Sequence, residues 1–148
     1  MKQENFTKIE KEISRNGCYL LCLCKIAEKY LQKELKEQDV LEIYLNAVKK
    51  NYIYSNCYVL QPQNVLNLIF SLYHSKKKCT ISNVFNNKET TNGFADFTAK
   101  VKIKNLTQSH FVVVDNDKKV IYDPSSVIEE KAKKRGYEFI NFRGYEII

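Results

Sequence analysis

The run from Cys18 to Cys24 (Cys-Tyr-Leu-Leu-Cys-Leu-Cys) carries no charge, in a chain that holds 24 Lys and Arg and 17 Asp and Glu. Leu20, Leu21, Leu23, Cys24 and Ala27 make the stretch apolar on nearly every side, the pattern of a helix buried in the middle of a domain. The rest of the chain has to supply the layers that cover it. The helix is expected from Gly17 or Cys18 to about Gln32, with Gly17 making the sharp entry and Cys18 in the first turn. A thiol there feels the positive end of the helix dipole, which favours the thiolate, the nucleophilic form. Cys18 also reads as a small core residue, as free cysteines commonly are. On this stretch alone the core reading is the favoured one.

The 148 residues suit one domain, residues 1–148, large enough to bury a core without metal or disulfide staples. The formal net charge of +7 raises the question of nucleic acid. Nucleic-acid binders cluster their basic residues and use Arg forks. Here only Arg15, Arg135 and Arg143 are arginines, and the lysines are spread among glutamates. The exceptions, Lys76 to Lys78 and Lys131 to Arg135, read as solvated helix ends. A nucleic-acid partner is therefore not favoured. The abundance of Lys, Asn, Ile and Tyr, with 2 Pro and 4 Gly, reads as the style of an AT-rich genome. Met1 to Thr7 is polar, with no apolar run of signal-peptide length, and no segment reaches the length of a membrane span. The five cysteines, at 18, 22, 24, 57 and 79, contain no C-x-x-C pair. Neither a disulfide framework nor a zinc site follows, so no metal and no cofactor are expected, and the chain is assigned to the reducing cytoplasm.

Along the chain, Ile9 to Arg15 forms a short lead-in. A second helix starts near Asp39 as N-cap, and a third is opened by Pro62 in its first turn. Tyr52 to Leu60, between them, is aromatic and irregular. After Ser75 the period changes to two. Cys79 to Ser82 reads as a short strand and Phe85 to Gly93 as a loop. Phe97, Ala99, Val101 and Ile103 alternate with Thr98, Lys100, Lys102 and Lys104, a strand with one wet face. His110 to Asp115 and Lys118 to Asp123 are two more strands, and Ser126 to Arg135 is a short helix capped by Gly136. Tyr137 to Phe142 and Tyr145 to Ile148 close the chain as strand, with Gly144 at a bulge. Helices first and an antiparallel sheet second make an α+β architecture.

Asn116-Asp117 is a good two-residue hairpin turn, because both residues tolerate positive φ. Such a turn pairs Asp115 with Lys118, Val113 with Val120 and His110 with Asp123, whose Cβ atoms would then lie about 4.5–5.5 Å apart. A three-residue loop would shift the pairing by one and move His110 to the other face. An imidazole beside a carboxylate, at a half-exposed strand end, is what a nucleophilic cysteine needs: the carboxylate orients the ring and the ring takes the thiol proton. An ordinary structural His–Asp pair reads the same way from sequence.

Taken together, Asn16-Gly17-Cys18 opening a buried helix, Ser109-His110-Phe111-Val112-Val113-Val114 and Tyr122-Asp123-Pro124 resemble the papain-like cysteine peptidases. The nearest branch is that of the bacterial leader peptidases that trim bacteriocin precursors after a double glycine. The lysine- and asparagine-rich style is also similar to an uncharacterised plasmid- or prophage-borne family of spirochaetes. The resemblance implies a papain-like fold, with a central helix packed on a C-terminal antiparallel sheet. It implies Cys18 as nucleophile, His110 as general base and Asp123 as orienting acid, acting on a peptide or protein substrate through a thioester. Two departures stand out. The family's glutamine, six residues before the cysteine, donates to the oxyanion; here Glu12 holds that position and, when ionised, can only accept. Asn16 or a backbone N–H is the alternative donor. The family's Cys-Gly-Pro is replaced by Cys18-Tyr19-Leu20. A non-catalytic binding module that keeps the cleft, and a basic nucleic-acid-associated protein, are the rival readings. A Cys-His-His arrangement through His74 is set aside, because His74 ends a helix, where its charge meets the C-terminal carbonyls.

Overall fold

Gly17 is both the last cap of one helix, α1 (Lys11–Asn16), and the first cap of the next, α2 (Cys18–Leu31). Its φ of −83° is open to any residue. Space is what requires glycine, since a Cβ would stand 2.4 Å from the Ile13 carbonyl oxygen. The chain is described here by a computed structural model over residues 1–86 and 93–148. A 3-10 turn at Gln3–Phe6, not expected from the sequence, precedes α1. α2 ends where Gln32 turns left-handed, at φ 51°.

Helix α3 (Glu37–Lys49) starts before the position expected of it. Lys36 is its N-cap, and Asp39 sits at the third helical position, where its Oδ2 accepts the Lys36 N–H at 2.9 Å. The carboxylate serves the same orphan end from inside the helix instead of in front of it. Helix α4 (Pro62–Leu72) has Pro62 in its first turn, as expected.

The helices are followed by five strands and one more helix: β1 (Cys79–Phe85), β2 (Asp96–Ile103), β3 (Ser109–Val114), β4 (Val120–Tyr122), α5 (Ser126–Arg135) and β5 (Tyr137–Ile147). The sheet is antiparallel throughout, in the order β1-β5-β2-β3-β4, so the fold is α+β. The expected loop from Phe85 to Gly93 lies largely outside the described residues. β1 is longer than expected, and β5 is one strand where two were read. The bulge in β5 falls at Ile140, between Phe139 opposite Val101 and Asn141 opposite Lys100. Gly144 is not that bulge. It makes room for Phe94, whose ring would lie 2.7 Å from a Cβ there.

Helix α2 runs through the middle of the main core. Leu20, Leu23 and Ile26 join Val40 and Ile43 of α3, Leu66 and Ile69 of α4, and Val113 and Tyr145 of the sheet. A smaller cluster of Phe97, Ala99, Val101, Val112, Val114 and Phe142 is built from β2, β3 and β5 alone. Both faces of the first half of β2 are therefore covered, which corrects the expected wet face. Thr98 is fully buried, with its Oγ1 at 2.9 Å from the Tyr145 hydroxyl, and Asp96 is held by Lys29 at 2.6 Å and by the Tyr30 hydroxyl. Only Lys100 and Lys102 keep the half-open positions that the alternation suggests. Among the described residues no helix is long and apolar enough to cross a membrane.

Candidate active site

Cys18 is the first residue of α2, so its backbone N–H is one of the helix's unpaired amides. The side chain is half-buried, at the wall of a cavity of about 470 Å³. His110, near the start of β3, lines the same cavity. Its Nε2 lies 2.6 Å from Oδ1 of Asp123, the residue after β4. Oδ1 also accepts the Ser125 N–H at 2.9 Å, and Oδ2 accepts the Tyr137 hydroxyl at 2.5 Å. The strand end was expected to be half exposed. Instead Asp123 is fully buried and His110 is 6% exposed.

The contact between His110 and Asp123 arises by a different register from the one the turn chemistry suggests. Asp115 pairs with Lys119, through Asp115 N–H to Lys119 O at 2.9 Å, around a three-residue loop in which Lys118 takes φ 63°. Val114 then faces Val120, and Val113 faces Tyr122, so Ile121 is an extra residue. Each irregularity moves the pairing by one, and together they move it by two. Because the side-chain period of a strand is two, Asp123 returns to the pleat face of Val112 and His110. The expected direct opposition is thus replaced by a diagonal approach.

Burial works against charge on the imidazole, but its hydrogen bond to the Asp123 carboxylate and the electrostatic pull of Asp123 and Cys18 outweigh it and push the His110 pKa up to about 9. Burial likewise works against the Asp123 carboxylate, and the imidazole, Tyr137 and the Ser125 amide hold its pKa below the usual value. With Nε2 committed to Asp123, Nδ1 is the ring nitrogen left for Cys18. The other four cysteines are buried. Burial pushes the thiols of Cys22, Cys24 and Cys57 well up, and that of Cys79 up to about 11.

Of the two oxyanion candidates, exposed Asn16 lines the cavity. Glu12 is not among the described residues that line it, and its Oε2 faces the Asn16 amide at 3.5 Å. His74 is exposed, left-handed at φ 56°, and apart from the cavity. Among the described residues no group of three or more His, Cys, Asp and Glu is placed to hold a metal.

Sequence reasoning missed Tyr137 and Gln3. Tyr137 is read only as the start of the last strand, since nothing local ties it to Asp123. Gln3 is buried and lines the cavity, with Nε2 donating to the Ser14 carbonyl at 3.3 Å and Oε1 unpartnered among the described residues. It lies in a polar N-terminal stretch with no periodic signal.

A family model described as "Protein of unknown function, DUF261" matches residues 1–144. No curated protein and no solved structure matches the chain.

Proposed function

The chain belongs to the DUF261 family, and we propose that it is a papain-like cysteine peptidase or amidase using Cys18, His110 and Asp123. The observation that carries this reading is the buried His110–Asp123 pair at 2.6 Å, on an imidazole that lines the same cavity as the thiol opening α2. An orienting carboxylate, a base and a nucleophile at a helix N-terminus beside a cavity are the parts of a thiol acyl transfer.

In that reaction the Cys18 sulfur, its proton on His110, attacks a peptide or amide carbonyl. The resulting oxyanion is met by the free Cys18 N–H at the positive end of α2. His110 gives its proton to the leaving nitrogen, and the amine departs, leaving a thioester. Water then loses a proton to His110 and attacks the thioester carbon, releasing the carboxylic acid and returning Cys18 and His110 to their starting state. Asp123 holds the ring by Nε2 throughout and stays ionised. Five unpaired thiols support a reducing, cytoplasmic setting.

The second reading is a binding module that keeps the cleft without efficient chemistry. It is favoured by Glu12, which stands where a glutamine donor is expected and faces Asn16 instead. A thiol-directed probe on the native chain, followed by a peptide library, separates the two. The peptidase reading expects Cys18 to be modified ahead of the other four thiols, and hydrolysis that disappears in Cys18→Ala. Equal modification of all five, or hydrolysis that survives Cys18→Ala, would sink it.

A further inference from the structure

Of the cations on the cavity wall, Arg143 is the one held in place by aromatic rings. Arg143 stands on β5 opposite Thr98, with its guanidinium over the rings of Tyr19 (5.2 Å) and Phe111 (5.7 Å). Those rings stack on each other at 4.1 Å. One terminal nitrogen of Arg143 donates to the Tyr19 hydroxyl at 3.3 Å, while Nε is buried and has no partner among the described residues. No carboxylate pairs with Arg143 among the described residues. The same holds for Lys100, Arg15 and Lys131, which line the same cavity. Among the described residues the acidic one on that lining is Glu4, whose two oxygens already accept from Ser125 and Ser126.

A guanidinium held beside two stacked rings and tied to one hydroxyl has its direction set in advance, and donors left unused in a partly desolvated wall are costly until they meet an acceptor. The acceptor that matches a planar fork is a carboxylate, which can take two parallel hydrogen bonds. Tyr19, which lies beside Arg143 and accepts a hydrogen bond from it, is adjacent in sequence to Cys18.

We propose that Arg143, with Lys100 beside it, is a subsite for a carboxylate of the substrate, so that the bond cleaved lies next to an acidic side chain or a free chain terminus. This rests on the peptidase reading and names its substrate class. The bland role for Arg143, a stacked strut between strand and helix, makes no distinction between charged and neutral ligands.

The test uses two thiol reagents of nearly the same size, iodoacetate and iodoacetamide. The Cys18 sulfur displaces iodide from either, and only the first carries a carboxylate. The ratio of their rates at Cys18, read by peptide mapping of the whole chain, is compared with the ratio in the unfolded chain. The folded ratio should favour iodoacetate, and should fall as salt is raised from low to about 1 M, where screening reaches within about 3 Å. Arg143→Gln should cut the ratio by about tenfold, the scale of one charge-assisted hydrogen bond. Arg143→Lys should keep part of it and covers the case in which the glutamine variant fails to fold. A ratio indifferent to salt and to both variants, at a reactive Cys18, overturns the subsite alone. A Cys18 inert to both reagents overturns the peptidase reading and the subsite with it. Peptide pairs then identify the source. Faster cleavage beside Glu than beside Gln assigns an acidic side chain, and faster cleavage of a free C-terminus than of its amide assigns a terminus. Equal kcat/KM across both pairs overturns the proposal.

Discussion

Cys18 and Cys22 stand about one turn apart on the same helix, roughly 6 Å along its axis, and the two turns could hardly differ more. Cys22 is fully buried, and burial pushes its thiol well up. Cys18 opens the helix at the wall of a cavity that also holds an imidazole oriented by a buried carboxylate. The contrast teaches that position on the helix, and not residue type, divides a candidate nucleophile from an inert core side chain.

The harshest test of the contrast is to truncate each thiol. Cys18→Ala should remove hydrolysis, a loss on the order of 10⁶ if the groups act as a unit. Cys22→Ala should keep the rate and cost about 1 kcal/mol of stability through lost packing. Rate assays beside denaturant unfolding would read both. A matching fall in rate for both variants would erase the distinction between the turns.

The next effect in size belongs to the residue that holds the ring. Asp123→Ala should lower the rate by about 10²–10⁴, by analogy with loss of orientation in other triads. It should also cost about 1–3 kcal/mol of stability for each buried donor stranded, because the Ser125 amide and the Tyr137 hydroxyl lose their acceptor. Asp123→Asn keeps an acceptor for Nε2 and exchanges a charged bond for a neutral one, about a tenfold loss in rate. If the two substitutions behave alike, Asp123 acts by its charge and not by orienting the ring.

That residue also shows how far the sequence could be read. The helix from Cys18, the Pro62 start, the α5 span and the α+β order all follow from local signals: an uncharged run, a fixed φ, a cap and a change of period. The pairing of His110 with Asp123 was legible as a juxtaposition but not as a register. Turn chemistry favoured Asn116-Asp117, while the chain placed positive φ at Lys118 and an extra residue at Ile121. No local propensity announces a bulge whose effect is to cancel another. Tyr137, Gln3 and Arg143 were beyond reach for a different reason, since each meets the site only through tertiary packing.

The pH dependence of stability should divide the same two turns by window. The folded His110 pKa, about 9, lies above its usual 6.5. Its contribution is therefore complete below about pH 6.5 and is lost as pH rises through about 9, at no more than about 1.4 kcal/mol per pH unit. A buried thiol such as Cys22 also has a raised folded pKa, so its contribution is lost with rising pH too. That loss begins only above the usual thiol value of 9.0. Denaturant midpoints from pH 6 to 10, for the wild type and for His110→Gln, should converge between 6.5 and 9. A constant gap across that window would mean that the imidazole is not charged in the folded chain.

The smallest effect is expected at Glu12, the position where papain-like peptidases carry a glutamine. From sequence alone, Glu12→Gln should restore an oxyanion donor and raise the rate. The structure argues otherwise. The carboxylate is not on the described cavity lining, and it faces the Asn16 amide at 3.5 Å, a contact that a glutamine oxygen could also accept. Placed there, a new N–H does not reach a carbonyl bound at Cys18, and the change should stay within about 0.5 kcal/mol, roughly twofold in rate. The Cys18 amide and Asn16 then remain as the donors near the developing charge. A rise on the order of 10² would be the signature of a restored donor, and would mean that α1 turns Glu12 into the cavity when substrate binds.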